Sequence, residues 1–465
     1  MPRDEKRNGG LDPEHIRSLL QQHLVASTNG EVRIVDCRIA NLRHRDGSRG
    51  TVQFDIRVED LRSGAVHDHT VTGVTYGEQR TRRAWDAIRA ERSVPLAANE
   101  ALALLPFGFV PELDMLLQVF PHDHRIPGLA AVMQGLPSAT KTAAIAQFGT
   151  GTWQLRDWRP QAMQYRAGMR AVVRLHVSAV DVATGQEADH VIYAKLYRDA
   201  NQAERLWNTQ VDLYERARAA GAKLALAKPI AYDRELQAIV TEEVPGHSLA
   251  SALRQGHDVS ETIRATAHAL AVLHSLPGPL PTCRTGEDLT RLKEAAQILI
   301  DTYPGLGSTV SSIAHQVIVG LENVPCTLIH GDLKPAHVVI DGDRVSLIDF
   351  DLMGAADPVV DVAHLVAFLG DDRERSQITD VDVDGATRLF LDEYFSSVPA
   401  TSRGRLPIHH AMTSLHRAVG LSRKRGSSGI DQVQAILDEA QAFLSGHLDD
   451  GVAPSFKRRI TRQSS

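Results

Sequence analysis

The stretch Arg43 to Tyr76 aligns without a gap on Gln164 to Tyr197, and nine of its thirty-four positions are identical. The matches are Arg45/Arg166, Gly47/Gly168, Arg49/Arg170, Val52/Val173, Asp60/Asp181, Gly64/Gly185, Asp68/Asp189, His69/His190 and Tyr76/Tyr197. Ordinary composition would give roughly two. The register returns downstream with a shift of two residues, at Pro106/Pro229, Phe109/Tyr232, Glu112/Glu235 and Leu113/Leu236. A chain that repeats one unit in this way is expected to build that unit twice. Each copy reads as strand, Arg-x-Gly-x-Arg turn, strand, Gly turn, strand, helix and a further strand pair.

In the second copy, strands are predicted from Ala171 to Val180 and from Val191 to Tyr197, with a turn at Thr184-Gly185. A helix follows from about 201 to 219, its apolar side made by Leu206, Val211, Leu213 and Tyr214. Lys195 interrupts an otherwise apolar strand, Tyr-Ala-Lys-Leu-Tyr. Burying an unpaired ammonium is costly, so Lys195 calls for a partner or a ligand. The first copy has Val74 at that position, and so cannot be a second active site of the same kind.

A second constraint lies further on, in Ile329-His330-Gly331-Asp332-Leu333-Lys334-Pro335-Ala336-His337 and Leu347-Ile348-Asp349-Phe350-Asp351. Asp332 and Asp349 are seventeen residues apart. Between them lie the apolar run Val338 to Ile340, the turn Asp341-Gly342-Asp343 and the apolar run Val345 to Ile348. That order predicts loop, strand, tight turn and strand, with both carboxylates at one end of a hairpin. Phosphoryl transfer from a nucleotide needs such a pair. One carboxylate orients the acceptor hydroxyl, and the other holds the metal that bridges the phosphates.

His-Gly-Asp followed by Asp-Phe-Asp resembles the core of the aminoglycoside phosphotransferase and choline kinase-like family, relatives of protein kinases. The resemblance implies an α+β, protein-kinase-like fold of two lobes, one small and β-rich and one large and mainly helical. Here they would be preceded by a degenerate copy of the small lobe. The expected division is 1–148 for that copy, 149–246 for the nucleotide-binding small lobe and 247–465 for the catalytic large lobe.

The resemblance also implies roles. Asp332 would position the acceptor or act as base, and Lys334 would neutralise the transferring phosphoryl group. Lys195 would grip the phosphates of ATP and pair with a helix glutamate, Glu215 in preference to Glu204. Arg170 in the Arg166–Arg170 turn would lie over the phosphates, and the backbone around Glu243 and Val244 would meet adenine. Asp349 would hold Mg2+. The family has Asn five residues after the first Asp, where this chain has His337. Three roles stand open for it: a metal ligand, a hydrogen-bond partner of Asp332, or the mark of a weakened catalyst. Asp357 and Asp361, in the matching stretch after the second Asp, read as helix-capping or packing residues.

The 465 residues suffice for two or three domains. A net charge of −6 argues against a nucleic-acid binder. No run approaches the apolar length of a membrane span, and the charged start Met1 to Gly10 does not resemble a signal peptide, so the cytoplasm is the expected compartment. Cys37, Cys283 and Cys326 are odd in number and widely spaced, which suggests neither a disulfide framework nor a zinc site. Acidic residues crowd 371–384 and recur at Asp392-Glu393, a surface suited to a cationic acceptor such as an aminoglycoside or choline. An ATP-dependent kinase for a small-molecule hydroxyl (aminoglycoside, amino alcohol or sugar-like) is therefore the leading expectation. The alternatives are a catalytically silent nucleotide-binding module and a protein kinase. The second of these is disfavoured because no activation segment ending in Ala-Pro-Glu follows Asp349.

Overall fold

In a computed structural model of the chain, Ala171, Val173, Leu175, Val177 and Ala179 lie buried along one strand, while the residues between them are half-buried. The period of two is that of a strand with one face on a core. The structure describes residues 12–25, 32–45, 49–77, 79–91, 104–135, 138–221, 224–322, 324–375 and 383–446. The chain divides into two units, Met1–Trp207 with Pro229–Glu242, and Asn208–Lys228 with Glu243–Ser465.

The first unit opens with helix α1 (Pro13–Leu24), whose first turn is capped by the Asp12 side chain accepting from the Glu14 amide. There follow β1 (Val32–Arg45), β2 (Arg49–Asp60), β3 (Val66–Thr75), α2 (Arg80–Glu91), β4 (Phe107–Val110) and β5 (Met115–Val119). The five strands form one sheet in the order β1-β2-β3-β5-β4. After α3 (Gly128–Gln134) and α4 (Ser138–Ile145) come β6 (Trp153–Arg166), β7 (Arg170–Asp181), β8 (Glu187–Tyr197) and α5 (Ala200–Ala219), which passes into the second unit at Asn208. The short β9 (Ala225–Leu226) belongs to the second unit, and β10 (Pro229–Asp233) and β11 (Ala238–Glu242) complete the first. The second sheet runs β6-β7-β8-β11-β10, the same order and connectivity as the first. Even an irregularity repeats. The register shifts between Ile34 and Asp36 in β1 and between Leu155 and Asp157 in β6.

Each sheet has its own core. Phe54, Ile56, Val58 and Leu117 pack on Leu20 and Leu24 of α1. Val173, Leu175, Ile192 and Leu196 pack on Ile126, Leu129, Val132 and Ala144. The segment 126–144 thus contributes to the core of the second sheet although it precedes residue 149. Each such side chain, fully buried, stabilises the fold by about 1.5–3 kcal/mol.

The second unit is mainly helical. Its elements are β12 (His247–Ser248), α6 (Leu249–Arg254), α7 (Ser260–Ser275), α8 (Thr285–Thr302), α9 (Gly307–Gly320), β13 (Thr327–Ile329), β14 (Val338–Asp341), β15 (Arg344–Leu347), β16 (Gly354–Ala356), α10 (Val359–Arg375), α11 (Val383–Ser396), α12 (Leu406–Arg425) and α13 (Ile430–Leu444). In α7 the buried positions Ile263, Ala267, Leu270, Leu273 and His274 recur at helical spacing. They join Phe390 and Tyr394 of α11 and Leu365 of α10 in one core. A second core lies among α8, α9, α12 and α13, with Leu299, Ile313, Leu415 and Leu437 inside. The fold is therefore α+β, a β-rich unit and a mainly helical unit. None of its described helices is long and apolar enough to cross a membrane.

One sequence expectation fails here. Cys283 and Cys326 form a disulfide, with Cα atoms 6.1 Å apart. The helical hairpin of α8 and α9 returns the chain to its starting edge, so two cysteines 43 residues apart meet without any local spacing pattern. The acidic run is only partly visible. Residues 376–382 lie outside the described residues, as do the side chains of 371–375. Asp392 binds Arg403 at 3.1 Å and Glu393 binds Arg264 at 3.3 Å.

Candidate active site

The hairpin β14–β15 forms as its sequence predicts. Val338 pairs with Leu347 and Asp341 with Arg344, and Gly342 turns the chain at φ +57°. The loop before it and the turn after it hold the candidate residues Asp332, Lys334, His337 and Asp349. Asp349 stands at φ +67°, ψ +58°, a left-handed conformation that costs a non-glycine residue of the order of 1–2 kcal/mol. One ligand atom from each of Asp332, His337 and Asp349 lies within 4.8 Å of the other two. The two carboxylates predicted to converge are thus brought together, with His337 between them.

His337 is almost fully buried, and its hydrogen bonds define its state. Nδ1 lies 2.9 Å from the main-chain carbonyl of Asp332. A carbonyl only accepts, so Nδ1 carries the hydrogen and Nε2 carries the lone pair. Nε2 is 3.4 Å from Asp349 Oδ2. Burial holds the imidazole down to about 4, although Asp349 and Asp332 both favour its charged form. At neutral pH it is an uncharged ring directing a lone pair at a carboxylate.

Lys334 Nζ binds Asp332 Oδ2 at 2.8 Å and lies 5.5 Å from the centre of the Phe368 ring. His330 is wholly buried and locks the loop. Its Nε2 donates to the Ile348 carbonyl at 2.9 Å, and its Nδ1 accepts from the Asp332 amide at 3.3 Å. Loop and hairpin end are thereby tied through one side chain.

The sequence reading took Asp361 for a capping or packing residue and did not single out His274. The Asp361 carboxylate is fully buried and accepts the amides of His330 and Gly331 at 2.6 and 2.8 Å. It also takes His274 Nε2 at 3.0 Å, and His274 Nδ1 meets Tyr394 Oη at 2.8 Å. Burial would raise its pKa, but His274, His330 and the Gly331 amide more than offset this and lower it. Asp361 therefore anchors the His-Gly-Asp loop from below instead of capping a helix. The available signal was a lone carboxylate within the apolar run Val359 to Ala363. Asp357 does cap, accepting the Val359 amide at 3.0 Å. Arg405 and His409 hold its carboxyl below the usual range against the cost of burial.

The remaining candidates sit elsewhere. Lys195 is half-buried on β8, between Val172 and Ile239 on the neighbouring strands. Glu215 accepts Arg218 Nε and Nη2 at 3.0 and 2.8 Å, and Glu204 is bound by Arg234. Glu243 and Val244, both half-buried, directly follow β11. Arg170 opens β7 opposite Tyr197. At the tip of the Arg166–Arg170 turn, the Gly168 amide donates to Asp123 Oδ2 at 2.7 Å. Asp123 also accepts Tyr165 Oη at 2.9 Å and the Arg125 amide at 2.8 Å. The amide that a phosphate would meet is thus engaged by a buried carboxylate from the loop after β5.

Residues 164–394 match the model of the phosphotransferase enzyme family. No curated protein matches the chain. Among solved structures, a thermostable mutant of aminoglycoside phosphotransferase APH(4)-Ia is 14% identical, covering 66% of this chain and 99% of that one, at a TM-score of 0.44. A choline/ethanolamine kinase family protein from Mesorhizobium loti is 17% identical, covering 59% and 88%, at 0.41. Amicoumacin kinase hAmiN is 13% identical, covering 60% and 88%, at 0.43. These likenesses are too distant to bear on function.

Proposed function

Because residues 164–394 belong to the phosphotransferase enzyme family, we propose that the protein transfers the γ-phosphoryl group of ATP to a hydroxyl of a small molecule. The observation that carries this reading is the convergence of Asp332, His337 and Asp349 on one point, with ligand atoms within 4.8 Å of each other. Two carboxylate oxygens and an imidazole nitrogen are a donor set that fits a divalent cation. Asp349 and His337 would hold it, and when bound it neutralises charge on the phosphates.

Asp332 accepts the proton of the attacking hydroxyl, or orients that hydroxyl toward phosphorus. Lys334, already on one Asp332 oxygen, places positive charge beside the transferring group. Asp361 and His330 hold the loop so that these groups need not reorganise during transfer. Lys195 serves as phosphate anchor in this reading. The acceptor class in this reading spans aminoglycosides, amino alcohols and sugar-like alcohols.

The test is ADP release from Mg-ATP with pooled acceptors of those three classes, run beside Asp332→Asn protein. Release that depends on acceptor and disappears in the variant supports the reading. Nucleotide binding without release from either protein would favour the silent module, and phosphate appearing on added polypeptides would favour a protein kinase.

A further inference from the structure

We propose that His337 makes this cluster a site for a first-row transition-metal dication in preference to Mg2+. The argument is one of donor atoms. Nδ1 is directed at the Asp332 carbonyl, so Nε2 is the nitrogen turned toward the site, 3.4 Å from Asp349 Oδ2. One ligand atom from each of Asp332, His337 and Asp349 lies within 4.8 Å of the other two, a mixed nitrogen and oxygen donor set. An oxygen at this position would suit Mg2+, a hard ion that keeps its waters and gains little from imidazole. An imidazole nitrogen beside two carboxylates suits Mn2+, Co2+ or Zn2+ better.

The other imidazole of the loop cannot take the part. Both nitrogens of His330 are committed, one to the Ile348 carbonyl and one to the Asp332 amide. The ring of His337 is also pre-set, since its Nδ1–H···O=C bond orients it as outer-shell partners orient metal-binding histidines. The inference rests on the phosphotransferase reading only in expecting a dication at this point. Its test does not require turnover.

The probe is Mn2+ alone, added to the full-length protein without nucleotide. Pulsed electron paramagnetic resonance of wild-type protein should show nitrogen-14 coupling from one imidazole, and His337→Asn should lack it. In competition titrations the preference for Mn2+ over Mg2+ should fall by about tenfold or more in His337→Asn. Absence of nitrogen coupling in the wild type, or an unchanged preference in a folded His337→Asn protein, overturns the inference. The wild-type spectrum needs no variant, so a misfolded substitution does not spare the idea. Nitrogen coupling without any acceptor phosphorylation would leave the metal assignment standing and remove the proposed function. Phosphorylation with equal use of both metals and no coupling would do the reverse.

Discussion

Gly331 lies against the Leu352 carbonyl, so close that a β carbon built there would overlap the oxygen and stand only 2.9 Å from Arg284 Nη1. Its φ of +80° adds a conformational penalty for any other residue. Gly331→Ala should therefore cost more than about 3 kcal/mol and abolish transfer. Gly342→Ala, at φ +57° with open space around it, should cost only about 1 kcal/mol. Urea unfolding of both proteins checks the contrast, and equal losses would refute the steric account.

Asp361 is the sole side chain that accepts both amides at the start of the His-Gly-Asp loop among the described residues. Asp361→Asn keeps the volume but removes the charge paired with His274. The expected loss is about 3 kcal/mol of stability, with kcat down by about a hundredfold as the loop loses its placement. A variant of wild-type stability and rate would show that the anchor is dispensable.

The half-buried ring of His364 gives a pH dependence. Burial brings its imidazole down from the ordinary 6.5 to about 4, against Asp332 and Asp361 and with His416 and Lys334. Between those values the unfolded chain binds a proton that the folded chain refuses. Stability should therefore rise with pH across this window and be lost as pH falls from about 6.5 toward 4. The slope is about 1.4 kcal/mol per pH unit for one such group. His337 in metal-free protein contributes in the same sense. Unfolding free energies measured from pH 4.5 to 7.5 should show a shallower slope for His364→Gln, and an identical slope would exclude His364 as a cause.

Thiol counting tests the disulfide. Unreduced, denatured protein should show one reactive thiol, that of Cys37, and three after reduction. In the native protein Cys37 should react slowly, because burial, with Asp36 adding to it, pushes its thiol up to about 11. Cys326→Ser opens a loop closed over 43 residues and should cost about 4 kcal/mol in the chain-entropy account. Three thiols without reductant would contradict the pairing and agree better with a reducing cytoplasm.

What the sequence makes legible is what local order encodes. The hairpin from Val338 to Leu347, the convergence of Asp332 and Asp349, and the helix through Glu215 all follow from short-range pattern and turn chemistry. So does α7, predicted from Val259 to Leu276 and observed from Ser260 to Ser275. The contacts that pattern does not encode are those made across folded elements. His274 and Asp361 are separated by 87 residues, and nothing near either one names the other. Cys283 and Cys326 meet only because two helices return the chain. His337 lies between these cases. Its position was evident, but which nitrogen carries the hydrogen depends on a carbonyl five residues back that only the turned loop presents.

The grip of Asp123 on Gly168, with Ile126, Leu129 and Val132 packed on the same sheet, bears on how the protein can be shortened. A chain started at residue 149, the expected start of the nucleotide-binding lobe, would carry a bare sheet face and a glycine turn stripped of its anion. Such a fragment would be a candidate for aggregation, and any loss of nucleotide binding in it would say nothing about catalysis. A start upstream of residue 120 retains the clamp and the missing wall of the core, so trimming from that side should stop there.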